Sequence, residues 1–256
     1  MFLGNNLFKP ANFYYSMRQG FWIIAKQIVR NADVVLEVLD ARFPNITRIT
    51  RLEKMAKEKL ILVINKIDLV SKKTVDKIKM EFKNSRYVLV SSTKSKNISE
   101  LMKLMKGKVA VIGYPNTGKS TLINKLSSGG KARTSSESGF THGKQLIAGK
   151  GFMLMDTPGI IPFEDRDEVR LGLVSGISPS KLEDPDLVAT KLIHIFKKNN
   201  PSEFFKYYGV DMALDSYSIL LEIGKKRHML LKKGEIDERR AAVSVLVDWH
   251  KGKIKL

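Results

Sequence analysis

Gly113-Tyr114-Pro115-Asn116-Thr117-Gly118-Lys119-Ser120 follows the strand-like run Val109–Ile112 and opens the helix-like run Thr121–Leu126, and it decides the fold of this 256-residue chain. The spacing is that of a phosphate loop. Gly113 and Gly118 let backbone N–H groups, including those of Thr117, Gly118 and Thr121, curl around a β-phosphate, and Lys119 reaches the β- and γ-phosphates. The Ser120 hydroxyl is a candidate Mg²⁺ ligand. Such a pattern arises by chance in roughly 1% of chains this long, and the strand–loop–helix context removes that residue. Asn116 has two readings: an amide oxygen that holds K⁺ between the α- and γ-phosphates, or a turn former after Pro115.

A second signal, Asn65-Lys66-Ile67-Asp68, closes the apolar run Leu60–Ile64. A carboxylate only accepts hydrogen bonds, so Asp68 matches the N1–H and N2–H₂ donors of guanine and is repelled by the N1 acceptor of adenine. Sites of this type reject analogues lacking the matching group by about 10⁴-fold or more. On this reading Lys66 lies along the base and ribose, and Asn65 ties its loop to the phosphate loop. Ser91-Ser92-Thr93-Lys94 ends the next apolar run. It is either a backbone donor to guanine O6, built on Ser91, Ser92 and Thr93, or an ordinary polar turn.

Asp156-Thr157-Pro158-Gly159 ends the run Phe152–Asp156. Asp156 is placed to hold Mg²⁺ through water, and the Gly159 N–H to meet the γ-phosphate. Thr141, in Ser138-Gly139-Phe140-Thr141, is the candidate for a first switch that closes on Mg²⁺ and the γ-phosphate. Ras-like GTPases place a water-orienting glutamine just after the Gly159 position, where this chain has Ile160. An aliphatic side chain cannot orient water, so intrinsic hydrolysis is expected to be slow. The candidate catalytic set is Lys119, Asn116, Thr141 and Gly159; the metal set is Ser120, Thr141 and Asp156. The cofactors so implied are GTP or GDP, Mg²⁺ and K⁺.

The order of these motifs is permuted. In Ras-like proteins the phosphate loop comes first and the base reader near the end; here the base reader precedes the loop. Together with Asp40-Ala41-Arg42-Phe43-Pro44 after the first apolar run and Ile160 after Asp156-Thr157-Pro158-Gly159, this order resembles the circularly permuted GTPases of the RbgA/YlqF type. The resemblance implies a P-loop GTPase fold with an all-α C-terminal domain that binds rRNA, and GTP-dependent docking on the large ribosomal subunit or its precursor. It extends more weakly to Gly234-Glu235-Ile236-Asp237, Ala241-Ala242 and Asp248-Trp249-His250-Lys251-Gly252-Lys253. Bacterial members carry a His-Met pair near the N-terminus, implicated in hydrolysis; Ser16-Met17 stands at the matching place here. His142, after the switch threonine, is an alternative catalytic histidine or a solvated one.

The remaining pattern frames these sites. Val34–Leu39, Leu60–Asn65, Tyr87–Ser91, Val109–Gly113, Lys144–Ala148 and Phe152–Asp156 read as strands alternating with amphipathic helices, the mark of a mainly parallel α/β sheet. Residues 127–141, rich in Ser, Gly and Thr, read as a loop. Residues 1–175 are assigned to the permuted GTPase domain and 176–256 to a helical RNA-binding domain, with helices at Leu187–Lys198, Glu203–Tyr208, Ser216–Leu231 and Asp237–His250. Ala242, Val245, Leu246 and Trp249 form a helical stripe, which leaves Trp249 either in the core or stacked on a base. The 45 basic and 26 acidic residues give a net charge of +19. Residues 1–175 hold 30 basic and 15 acidic side chains, and 176–256 hold 15 and 11.

Such a surplus favours a polyanionic partner, rRNA being the one the resemblance implies, though a lysine-rich thermophile-like surface is the competing reading. Lys225-Lys226-Arg227, Lys232-Lys233 and Arg239-Arg240 are candidate phosphate contacts. Cysteine is absent, which excludes disulfide partners and thiolate metal sites. With no signal-peptide pattern and no membrane-length apolar run, a cytoplasmic monomer is expected. The leading function is a GTP-hydrolysing ribosome-assembly factor. An RNA-binding module reset by turnover, on tRNA or another RNA, and a signalling switch are the alternatives.

Overall fold

A computed structural model of the chain describes residues 22–127, 146–148, 151–157, 159, 161 and 167–256. Thr141, His142, Ser16-Met17, Ile160 and most of the Ser/Gly/Thr-rich loop lie outside the described residues. The described chain runs α1 (22–31), β1 (Val34–Asp40), α2 (Thr50–Ala56), β2 (Leu60–Asn65), α3 (Lys72–Glu81), β3 (Tyr87–Leu89), α4 (Ile98–Lys103), β4 (Gly107–Ile112), α5 (Lys119–Ser127), β5 (Leu146–Ala148) and β6 (Phe152–Asp156). Helices α6 (Glu168–Leu173), α7 (Pro185–Asn199), α8 (Pro201–Tyr208), α9 (Ser216–Lys226) and α10 (Glu238–His250) follow. Among the described residues no helix is long and apolar enough to cross a membrane.

The strands form one six-stranded sheet in the order β3-β2-β1-β4-β6-β5, parallel except for β5, which pairs antiparallel with β6 at the edge. Strand order reverses between β1 and β4, and open α/β sheets bind ligands in the crevice outside the carboxyl ends at such a point. Every residue of β1 is buried, because helices cover both of its faces. Leu36 and Val38 pack with Leu101 and Leu122 on one face, while Val35 packs with Ile28, Leu52 and Tyr114 on the other. Apart from Asp40 at its end, Glu37 is the exception in this apolar strand. Its Oε1 accepts the Ile49 N–H at the start of α2 (2.5 Å), and burial, then nearby Glu53, raises its carboxyl pKa well above the ordinary range.

The C-terminal helices enclose a second core around Trp249, which is fully buried. Phe196 meets the indole edge-on at 5.7 Å, and Phe43 from the segment after β1 packs on it at 5.7 Å. The i, i+3, i+4, i+7 stripe of α10 therefore faces a core, and the base-stacking alternative for Trp249 falls away. Asp237 caps α10 by accepting the Arg240 N–H (2.9 Å).

The helix read over Ser216–Leu231 ends instead at Lys226. His228 adopts a left-handed conformation (φ 53°), with His228 N–H to Lys225 O and Met229 N–H to Gly224 O closing a Schellman turn. Leu230 then bridges to Ile236. The apolar pattern runs on past Lys226, but only Met229 packs against the core while Leu230 and Leu231 are exposed, and a histidine at a position that favours glycine gave no stop signal.

Candidate functional site

The site is built at the carboxyl ends of β1, β2, β4 and β6. The phosphate loop spans the gap between β4 and α5, so the first helical N–H groups and the positive end of the helix dipole face the crevice. Gly113 and Gly118 carry φ values of 147° and 97°. A Cβ at Gly113 would lie 2.5 Å from the Val38 carbonyl oxygen, and one at Gly118 2.3 Å from Asn65 Nδ2. Both contacts require glycine, the second because the base-reading loop presses directly on the phosphate loop.

Asn65 is the bracket between the two. Its Nδ2 donates to Thr117 O (2.9 Å), while its Oδ1 accepts from the Ser92 N–H (3.0 Å) and the Ser92 hydroxyl (2.9 Å). One buried amide thus joins three segments that are far apart in sequence. Asp68 lies beside the Ser91–Thr93 turn, accepting Ser91 Oγ–H at 2.6 Å and Thr93 Oγ1–H at 3.3 Å. These bonds fix the plane of a carboxylate that has lone pairs left for two further donors. The cleft around it has a volume of about 310 Å³ and is lined by Asn65, Lys66, Asp68, Ser92, Thr93, Gly118 and Thr121, among others.

Lys66 sits in a left-handed backbone conformation (φ 65°) and reaches across to the Asn116 carbonyl at 2.5 Å and Asp40 Oδ2 at 2.8 Å. Burial lowers its pKa, and Asp40 opposes that shift. Lys119 is buried on the floor of the loop, its Nζ donating to Gly113 O (3.1 Å) and Tyr114 O (2.7 Å). Desolvation brings its pKa down to about 8, with nearby Asp156 pulling the other way. A phosphate dianion beside it would restore the full charge.

Asp156 ends β6 next to Val111 of β4. Its Oδ1 is buried without a hydrogen-bond partner, and burial raises its pKa, opposed by Lys119. An orphaned carboxylate oxygen at the end of β6 and an exposed Ser120 hydroxyl at the start of α5 are donors of the kind that suit a hard divalent cation. Gly159 rests on the loop: a Cβ there would meet Pro115 Cα at 2.9 Å. The side chain of Asn116 turns outward, its Nδ2 donating to Ser175 O (2.8 Å) at the end of α6. Among the described residues its Oδ1 accepts no hydrogen bond. Of the sequence-derived site residues, Asn65, Lys66, Asp68, Ser92, Thr93, Gly118 and Thr121 line one cleft, while the Asn116 side chain turns toward Ser175.

Other residues were not marked by sequence reading as parts of the site. Asp40 and Arg42 form a buried pair: Arg42 Nε donates to Oδ1 (3.0 Å) and Nη2 to Oδ2 (2.7 Å). Arg42 Nη1 continues to Trp249 O (2.6 Å), and the guanidinium lies 4.1 Å from the indole centroid. Lys66–Asp40–Arg42–Trp249 is therefore a continuous polar chain from the base-reading loop to the last turn of α10. The available signal was a carboxylate at the end of an otherwise apolar buried strand. Of the basic clusters in the tail, Arg227 pairs with Asp248 (2.8 Å) and Arg239 donates to Leu182 O and Glu183 O. Lys225, Lys232, Lys233 and Arg240 are exposed.

The family model described as "50S ribosome-binding GTPase" matches residues 108–204. A GTP-binding protein of Methanocaldococcus jannaschii, MJ1464, is 37% identical over 246 residues, covering 90% of this chain and 65% of that protein. The ribosome biogenesis GTPase A of Bacillus licheniformis is 29% identical, covering 84% of this chain and 86% of that one. A GDP-bound YlqF structure superposes with a TM-score of 0.65 at 26% identity, covering 90% of this chain and 96% of the other. The chain spans just under two thirds of the length of the archaeal relative.

Proposed function

We propose, for a chain that belongs to the circularly permuted GTPases of the YlqF/RbgA type, that it binds GTP and GDP, hydrolyses GTP slowly, and acts in large ribosomal subunit assembly. The observation that carries nucleotide binding is the Asn65 bracket. It holds a guanine-reading carboxylate, Asp68, and a phosphate loop in fixed register around one cleft. Asp68 reads the base, Lys66 flanks it, and the Ser91–Thr93 turn supplies the O6 donor. Thr117, Gly118, Lys119 and Thr121 cradle the phosphates. Ser120 and, through water, Asp156 would hold Mg²⁺, with Thr141 completing the set, and the ion would supply positive charge to offset that of the phosphates. Gly159 offers its N–H to the γ-phosphate.

Residues 1–175 serve as the GTPase domain and 176–256 as the RNA-binding helical domain, in a cytoplasmic monomer. The free cations of the tail (Lys225, Lys232, Lys233 and Arg240) contact rRNA phosphates. Nucleotide state reaches the tail because the segment after Gly159 leads into α6, and Asn116 is already bonded to Ser175 at its end. The test is co-sedimentation with large ribosomal subunits or their precursors. The GTP-analogue form should pellet with the particle, the GDP form should not, and the particle should accelerate hydrolysis. Raising salt should weaken binding to all RNA, whereas nucleotide state should alter only the specific complex. Equal pelleting in both states would leave the basic surface as the explanation and remove the gating.

A second measurement addresses K⁺. The Asn116 amide nitrogen is held by Ser175, which leaves its Oδ1 as the ligating atom beside the phosphate loop. Hydrolysis is expected to run about tenfold faster in K⁺ than in Na⁺ at equal ionic strength, a gain of the size one well-placed charge supplies. Asn116→Ala should abolish that preference while GDP affinity changes little. Equal rates in the two salts for the unmodified protein would remove the cation from the mechanism.

A further inference from the structure

The cleft that holds Asp68 has a wall that no nucleotide motif supplies. Besides Asn65, Lys66, Gly118 and Thr121, it is lined by His250, Lys251 and Gly252, the corner where α10 ends. The corner is held from several directions. Arg42 grips it by donating Nη1 to Trp249 O (2.6 Å), and Arg42 is itself paired with Asp40, which also binds Lys66 (2.8 Å). His250 Nε2 bonds Gly172 O at 2.6 Å. The last residues return to the base-reading segment, with Ser71 N–H donating to Leu256 O (2.7 Å) and Leu256 N–H to Leu69 O (2.9 Å). Gly252 packs so closely on Leu69 that a Cβ would lie 2.8 Å from Cδ1. The corner is therefore fixed to the segment that follows Asp68 and to the lysine that flanks the base.

Lys251 is the exposed cation of this wall. No hydrogen bond or ion pair engages its side chain among the described residues. The cleft it lines continues to Gly118 and Thr121, at the end of the phosphate loop where a nucleotide's ribose and α-phosphate emerge. An ammonium on a flexible stem at that end, unpaired among the described residues, matches an anionic ligand group.

We propose that the α10 corner is part of the nucleotide site, with Lys251 binding the ribose–α-phosphate end of guanosine nucleotides. Tail docking and nucleotide binding are then coupled. A tail pulled off the crevice by an RNA partner takes one wall of the nucleotide site with it, and a bound nucleotide holds the tail in place by the same free energy. This direction of coupling differs from signalling through the segment after Gly159, and it acts on GDP as well as GTP. It rests on the guanine-nucleotide reading of the crevice.

Titration calorimetry on the full chain tests it, with GDP and uncharged guanosine as ligands. Lys251→Ala is expected to weaken GDP binding about fivefold and Lys251→Glu about thirtyfold, the range for a cation near a surface phosphate and for its reversal. Guanosine affinity should change less than twofold. Because Lys251 is solvent-exposed, both variants should melt with the unmodified protein, and amide exchange over 246–253 should slow when GDP binds the unmodified chain. GDP affinity within twofold of the unmodified value in Lys251→Glu, or equal losses for GDP and guanosine, would overturn the Lys251 contact. Unchanged exchange over 246–253 would overturn the wall. If the unmodified chain binds no GDP, or binds it with an affinity indifferent to Asp68→Asn, the guanine-nucleotide reading itself has failed, an outcome distinguishable from either.

Discussion

Replacing Asp68 with asparagine should exchange the base preference of the cleft. Both carboxylate oxygens of Asp68 are oriented by hydroxyl donors, Ser91 Oγ at 2.6 Å and Thr93 Oγ1 at 3.3 Å, and their remaining lone pairs are what a guanine edge can use. Guanine presents N1–H and N2–H₂, two donors for two acceptors. Asparagine turns one acceptor into an NH₂ group that faces the guanine N2–H₂, so one pairing becomes a donor–donor clash in a confined cleft. GDP affinity should fall by about 10⁴-fold, the scale on which a hydrogen-bonding site rejects a mismatched group. Xanthosine diphosphate carries a C2 carbonyl that accepts from the new NH₂, and it should bind the variant better than GDP does. Competition among GDP, xanthosine diphosphate and ADP on both proteins measures this. ADP should compete with neither. An unmodified protein on which ADP and GDP compete equally would remove Asp68 as the base reader.

The second large effect is expected at Arg42. Asp40 and Arg42 are buried at 2% and 3% exposure, so cutting the arginine back to alanine strips most of the compensation from a desolvated carboxylate. The change also removes one of the two donors to Trp249 O, leaving the Gly252 N–H at 3.0 Å, and takes away the guanidinium above the indole. Breaking one side of a buried ion pair costs about 3–5 kcal/mol, and Lys66 remaining on Asp40 Oδ2 points to the lower end. At about 2–4 °C per kcal/mol for a chain of this size, Arg42→Ala should melt roughly 10 °C lower.

The pH dependence gives the same pair a second signature. Burial raises the Asp40 carboxyl pKa, but the Arg42 guanidinium and the Lys66 ammonium outweigh it and hold the group far below the usual carboxylate range. A folded-state pKa below the unfolded value of about 3.9 means stability that is complete above that value and lost progressively as the pH falls from there through the folded-state value. In Arg42→Ala the folded-state carboxyl moves up, so the stability gap between the two proteins should narrow as the pH drops below about 4. Thermal melts from about pH 7 to about pH 2 follow the gap directly. A constant gap over that range would mean that the Arg42 contribution is packing on Trp249 rather than charge.

Much of the nucleotide crevice was legible in the chain because phosphate and base recognition depend on short contiguous segments. Gly118 must be glycine whatever surrounds it, since its backbone turns at φ 97° against Asn65. Asp68 and Lys119 follow from the chemistry of the guanine and phosphate groups they are proposed to meet. Strand periods of two residues and helix periods of 3.6 placed β2 and β6 at their observed limits and put Trp249 on a buried face, because those periods are properties of the local backbone.

What the tertiary structure alone decided is which surfaces meet. Arg42 and Trp249 are separated by 207 positions, and nothing in either neighbourhood says that a guanidinium from the end of the first strand will cap the last helix. The Asn116 bond to Ser175, 59 positions away, and the return of Leu256 to Leu69 have the same character. Periodicity identifies an apolar face but not its partner, and an exposed lysine such as Lys251 reads as solvated until the fold carries it to the mouth of a cleft. The proposed phosphate and base readers could be found from contiguous segments, because their geometry is local. The wall that the last helix builds against them arises from long-range packing, where burial of apolar surface selects the partner without regard to distance along the chain.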